Sequence, residues 1–120
     1  MTSKETAYFA AETADQKNAH DIVMLNMQGI SIMADYFVIC HGNSEKQVQA
    51  IARALKEEAG EKEVSIKRIE GFNNARWVLV DLGYVIVHIF HKEDRDYYKL
   101  EKLWGDAPVF TLESNFSSGQ

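Results

Sequence analysis

The 120-residue chain holds one cysteine, one proline and no long apolar run. Each scarcity removes a class of protein. A helix that spans a bilayer needs roughly 18 or more consecutive apolar residues, and no stretch here approaches that. A lone cysteine, Cys40, cannot close a disulfide within the chain. It lies inside the apolar run DYFVIC, where a reduced and buried thiol is expected. The opening residues, MTSKETAYFAAETADQ, have no basic segment leading into an apolar one, so they do not read as a secretory leader. These features together point to the cytoplasm and away from the membrane. Basic residues are also in deficit, with Lys plus Arg at 13 against Asp plus Glu at 18, a net charge of −5. Wrapping nucleic acid relies on clustered cations that release counterions, which argues against that mode of binding. An acidic domain is steered instead towards a basic protein surface.

Against those absences stands one conspicuous presence, RWVLVDLGYVIVHIF, running from Arg76 to Phe90. A strand with one wet face alternates apolar and polar residues, because successive side chains point to opposite sides. Here Val78, Leu79 and Val80 follow one another without a break, as do Val85, Ile86 and Val87. Both faces of this hairpin therefore need cover. A type I′ two-residue turn would force Leu82 to positive φ, which favours a three-residue loop at Asp81-Leu82-Gly83 with Gly83 left-handed. Trp77 and Leu79 would then share a face with Val85 and Val87. The opposite face would carry Val78, Val80, Ile86, His88 and Phe90, and a slip of one residue would exchange the partners.

The remaining elements follow from composition and period. Lys4 to Lys17 has good helix formers and neither glycine nor proline, with Tyr8, Phe9, Ala11 and Ala14 on its apolar side. DIVML (Asp21–Leu25) and ADYFVICHG (Ala34–Gly42) read as strands on either side of a turn at Gly29. Ser44 and Gln47 have the spacing of a capping box. Val48, Ile51, Ala52 and Leu55 then make one apolar stripe, and Gly60 supplies a stop. VSIKRI (Val64–Ile69) reads as a third strand. A last helix is expected from Lys92 to Leu103, with acids first, lysines last and an inner stripe of Tyr97, Leu100 and Trp104. Gly105 and Pro108 end it. The order α-β-β-α-β-β-β-α predicts an α/β domain over residues 1–110, a mixed sheet of about five strands with helices packed on it, and a flexible tail over 111–120. Val109, Phe110 and Leu112 are the tail residues with the means to dock.

Residues able to do chemistry are present but poorly arranged for it. His88 and His91 are three apart on a strand and so face opposite ways, and no C-x-x-C or H-x-x-x-H spacing prepares a metal site. No metal and no cofactor is expected. The turn Gly42-Asn43-Ser44 between strand and helix could offer backbone N–H groups to a phosphate, as in template-independent nucleotidyltransferases. Those enzymes need converging carboxylates for two metal ions, whereas VSIKRI has none and Asp81 stands alone at a turn. A plain helix cap is the simpler account. Lys67, Arg68 and Arg76 flank the loop EGFNNA, a group suited at most to a few marginal contacts with RNA phosphate.

Four stretches, ADYFVICHGNS, IEGFNNARWVLVDLG, VIVHIF and RDYYKLEKLWGDAP, resemble the signature words of the bacterial ribosomal silencing factor, or Iojap, family. The resemblance covers about Asp21 to Pro108. It departs from the family pattern at Cys40 and His41, where small or aliphatic residues are usual, and at Asn73-Asn74, where charge is common. It implies a mixed α/β sheet akin to the nucleotidyltransferase fold without its catalysis. It further implies a protein, not an enzyme, that binds the fourteenth protein of the large ribosomal subunit. Occupying that surface blocks joining of the small subunit and represses translation under nutrient limitation. Carried onto this chain, the family's partner surface falls on Trp77 and on Leu82, Gly83 and Tyr84. Arg76, Ile86, Tyr98 and Lys99 join them as geometric neighbours. The family also implies a homodimer of the free protein, paired through its apolar surface. A nucleotidyltransferase-like enzyme or nucleotide-binding protein stays open as the alternative.

Overall fold

A computed structural model describes residues 1–98, 102 and 105–112. The chain opens with helix α1 (Ser3–Gln16), started by a capping box. The Glu5 N–H donates to Thr2 Oγ1 at 3.1 Å and the Thr2 N–H donates to Glu5 Oε1 at 2.8 Å. Ala7, Ala10, Ala11 and Ala14 are all fully buried, and their small side chains let the helix lie close to the sheet. Strands β1 (His20–Asn26) and β2 (Tyr36–Gly42) pair antiparallel, and helix α2 (Glu45–Glu61) follows. Its expected stripe of Val48, Ile51, Ala52 and Leu55 is buried. The expected reciprocal cap is only half made. Ser44 Oγ accepts the Gln47 N–H, but Gln47 Oε1 accepts from Asn43 rather than from Ser44. The Gln47 amide also donates to the carbonyl of Asn18 at 2.8 Å, tying the end of α1 to the start of α2. Nor does the helix stop at Gly60. It runs on to Glu61, and Glu63 takes the positive φ of 57°.

Strands β3 (Arg68–Glu70), β4 (Trp77–Asp81) and β5 (Val85–His91) and helix α3 (Lys92–Tyr98) complete the central part. The third strand is shorter than the expected Val64–Ile69. The Val64 N–H turns back to the Ala59 carbonyl at the end of α2, so sheet pairing begins only near Lys67. Among the described residues the sheet has six strands where about five were expected, in the order β3-β4-β5-β2-β1-β6. The sixth, β6 (Val109–Phe110), pairs antiparallel with β1. Val109 and Phe110 therefore dock, because β1 would otherwise offer an open edge of unpaired backbone groups. Among the described residues only β2 and β5 run parallel, which makes the sheet mixed. Of the expected last helix, Lys99, Leu100, Leu103 and Trp104 and the side chains of Tyr97 and Tyr98 lie outside the described residues, as does the tail 113–120.

The hairpin facing differs from expectation by one residue. The Leu82 N–H donates to the Val85 carbonyl at 2.9 Å, and Asp81 Oδ1 accepts the Gly83 N–H at 2.8 Å. The tip is thus the pair Gly83-Tyr84 rather than Asp81-Leu82-Gly83. Gly83 does take the left-handed region, at φ 95°. Trp77 consequently pairs with Phe90, Leu79 with His88 and Asp81 with Ile86. One face of the hairpin carries Val78, Val80, Val85, Val87 and Ile89. All five are buried beneath α1 and α2 in the larger core, at roughly 1.5–3 kcal/mol for each side chain so covered. The other face carries Trp77, Leu79, Ile86, His88 and Phe90. Its core is smaller: Leu25, Met27, Ile39, Phe90 and Ala107.

Candidate partner-binding face

The site is built from this second face, in rows that run across four strands. Trp77 neighbours Phe90 and then His41; Leu79 neighbours His88, Ile39 and Val23; Asp81 neighbours Ile86, Phe37 and Leu25. Phe90 and His41 in the first row and His88 and Ile39 in the second are buried. Trp77, Leu79 and Val23 at the row ends, and Ile86 and Phe37 in the middle of the third row, remain half-exposed. The apolar run thus leaves a partly covered aromatic and aliphatic surface on one side of the sheet. Charge borders it on β3, where Arg68 pairs with Glu70 at 3.1 Å and with Asp81 at 3.6 Å.

Trp77 is held in place from two sides. Its indole N–H donates to His88 Nδ1 at 3.1 Å, and its ring stacks on Phe90 with centroids 5.0 Å apart. His88 is buried, and Phe37 meets its ring edge-on at 4.8 Å. Burial pushes its pKa down to about 4. The imidazole is therefore neutral near pH 7, and since Nδ1 accepts from Trp77 its proton sits on Nε2. Among the described residues Nε2 has no hydrogen-bond partner. Arg76 is similarly committed. Its guanidinium donates to Asp94 at 2.7 Å and to Glu93 at 3.1 Å, and lies 4.0 Å from Glu45. It joins the first turns of α2 and α3 to the head of β4.

The residues assigned by resemblance do not all reach the surface. Tyr84 is 66% exposed, Gly83 and Ile86 are half-exposed, and Leu82 is only 8% exposed, packed in the larger core. Leu82 thus supports the tip from below. Lys99 and the Tyr98 side chain lie outside the described residues. Leu79, expected beside Trp77, and His88, expected on the opposite side of the hairpin, both lie on this face but are absent from the expected contacts. Nothing in the run of apolar residues on either strand singles them out, and it is the cross-strand register that brings them beside Trp77 and Phe90.

Groups suited to chemistry are otherwise engaged. Cys40 is fully buried and its thiol is pushed up to about 12 by that burial, too high to form a thiolate near neutral pH. His41 is buried, stacks on His20 and contacts Arg95 of α3 at 3.0 Å through Nδ1. Burial first, and the Arg95 charge second, hold its pKa below the ordinary value. In the Gly42-Asn43-Ser44 turn, the N–H groups of Asn43 and Gln47 already bond to Gln47 Oε1 and Ser44 Oγ. Among the described residues no group of three or more histidine, cysteine or acidic side chains could hold a metal ion. None of the described helices is long and apolar enough to cross a membrane.

Comparison with known proteins finds relatives that match nearly the whole chain. A family model described as "Ribosomal silencing factor during starvation" matches residues 1–119. A protein of Bacillus subtilis named as a ribosomal silencing factor is 59% identical over 113 residues, covering 94% of this chain and 96% of that one. A crystal structure of a Bacillus halodurans protein aligns with a TM-score of 0.81 at 56% identity, covering 91% of this chain and 99% of the other. A crystal structure of a Chromobacterium violaceum protein aligns with a TM-score of 0.85 at 33% identity over 88% of each chain.

Proposed function

From the premise that this chain belongs to the ribosomal silencing factor family, we propose that it represses translation by occupying the large ribosomal subunit. In this account it binds the fourteenth protein of that subunit, on the surface that meets the small subunit, and so keeps the subunits apart. The action is steric, in the cytoplasm, under nutrient limitation, with no bond made or broken. The observation that carries the proposal is the partly covered face of Trp77, Leu79 and Ile86, ending in the exposed Tyr84. Aromatic side chains among aliphatics, rigidly held, are what a protein–protein hot spot uses. The acidic balance of the chain suits a basic ribosomal protein. Contact with ribosomal RNA is at most marginal, since Arg68 and Arg76 already pair with acids of this chain. A second copy covers the same face when the subunit is absent. For a nucleotidyltransferase, the nearby carboxylates would have to converge on a metal, but Glu70 and Asp81 both lie against Arg68.

The test is Leu79→Lys. Its cross-strand neighbour is Glu70, so the fold tolerates the new charge. A basic partner docked on that face would have to desolvate a like charge. Binding to purified large subunits, followed by sedimentation, is expected to weaken by at least about 2 kcal/mol with unchanged melting. Undiminished binding would remove this face as the docking surface.

A further inference from the structure

The loop between β1 and β2 exposes apolar side chains that the sheet face does not account for. Ile32 is 98% exposed, Met33 72% and Ile30 41%. Single exposed aliphatics are ordinary, but a group of them on one loop marks an interaction surface. From Met27 to Ala34 the loop carries no charge, in a chain otherwise rich in it.

The loop is not slack. The Met27 carbonyl accepts the N–H groups of Ile30 and Ser31, both at 2.9 Å. Ser31 Oγ accepts those of Met33 at 3.1 Å and Ala34 at 3.3 Å. Asp35 Oδ2 accepts the Ser3 hydroxyl at 2.6 Å. The apolar side chains are therefore displayed by an ordered backbone, which lowers the entropy lost on binding. The loop is also joined to the hairpin tip. The N–H groups of Asp35 and Tyr36 both donate to the Tyr84 carbonyl, at 2.7 and 3.2 Å. At its other end, Met27 belongs to the core of the open sheet face. The loop thus continues that face around the end of the sheet.

We propose that Ile30, Ile32 and Met33, together with Tyr84, form an apolar rim that grips the same ribosomal protein as the sheet face. This rests on the docking function proposed above and extends its contact surface to a second element. Two considerations select that occupant. An uncharged aliphatic loop offers RNA neither the cations its phosphates need nor a stacking platform for its bases, which leaves a protein. A rim of this size supplies a few hundred Å², short of the roughly 800 Å² per partner of a stable interface, so it works together with the face it adjoins.

The test uses the full chain and purified large subunits. The double variant Ile32→Ser, Met33→Ser removes exposed apolar surface only, so its melting temperature and helical content should match the unmodified protein. Its affinity for the subunit is expected to fall by at least about tenfold, mainly through faster dissociation. Leu79→Lys is measured beside it. If Leu79→Lys loses binding while the double variant stays within about twofold of the unmodified protein, the rim is overturned and docking through the face stands. If the double variant alone is weakened, the rim is the contact and the face is not. A double variant that loses self-association yet keeps its subunit affinity would assign the rim to a second copy and overturn the proposal. An unmodified protein that fails to bind the subunit overturns both.

Discussion

Acidification from pH 7 to pH 5 should destabilise the fold through His88 by about 2 kcal/mol. The sign follows from its burial. The folded pKa is about 4 against an ordinary 6.5, so between those values the unfolded chain binds a proton that the folded chain refuses. Stability from this group is fully present above about pH 6.5, falls as the pH drops towards 4 and levels off below. The whole interval is worth about 3 kcal/mol, most of it already lost at pH 5. Protonation would also put a hydrogen on Nδ1, which now accepts the Trp77 indole N–H at 3.1 Å. His41, whose pKa is lowered by burial and by Arg95, adds to the slope in the same direction. The contribution of His88 is isolated with His88→Gln, which keeps an acceptor for the indole but cannot titrate. Urea unfolding at pH 7, 6 and 5 should show the variant losing about 2 kcal/mol less than the unmodified protein over that range. Parallel losses in the two proteins would refute the buried neutral imidazole.

Gly71→Ala should cost about 2–4 kcal/mol in a thermal or urea melt, because Gly71 sits at φ 77° and an added Cβ would meet the Trp77 carbonyl oxygen. An unchanged midpoint would show that the loop before β4 yields freely. Association with the isolated ribosomal protein should slow as salt rises, since screening shortens the reach of attraction to a chain of net charge −5. A rate that stays flat with salt would remove charge from the encounter.

Much of the fold was legible because period and punctuation agree locally. The stripe from Val48 to Leu55 and its Ser44 cap lie within one helix and depend on nothing distant. The hairpin face was not legible, for a reason that is equally local. Every residue from Trp77 to Val80 and from Val85 to Phe90, His88 apart, is apolar, so alternation carries no information and the turn alone sets the register. Asp81 accepting the Gly83 N–H shifts the tip by one residue and exchanges the faces. Strand β6 is two residues long and forms only because β1 offers an edge, which no window of its own sequence reveals. At the site, the resemblance supplied Trp77 and Tyr84, whereas the depth of Leu82 needed the structure. That depth alters the choice of test. A charge at Leu82 would disrupt the larger core, and removing Trp77 would cost stability by orphaning His88 and uncovering Phe90. Leu79 is the cleaner probe.

The central claim is that the second sheet face keeps ribosomal subunits apart, and subunit joining measures it directly. Separated subunits are mixed with the unmodified protein or with Leu79→Lys in magnesium that favours joining, and the joined fraction is read from a sucrose gradient. The account predicts that the unmodified protein leaves the subunits apart, while the equally folded variant lets them join. A variant that blocks joining as well as the unmodified protein, or an unmodified protein that blocks nothing, would contradict it.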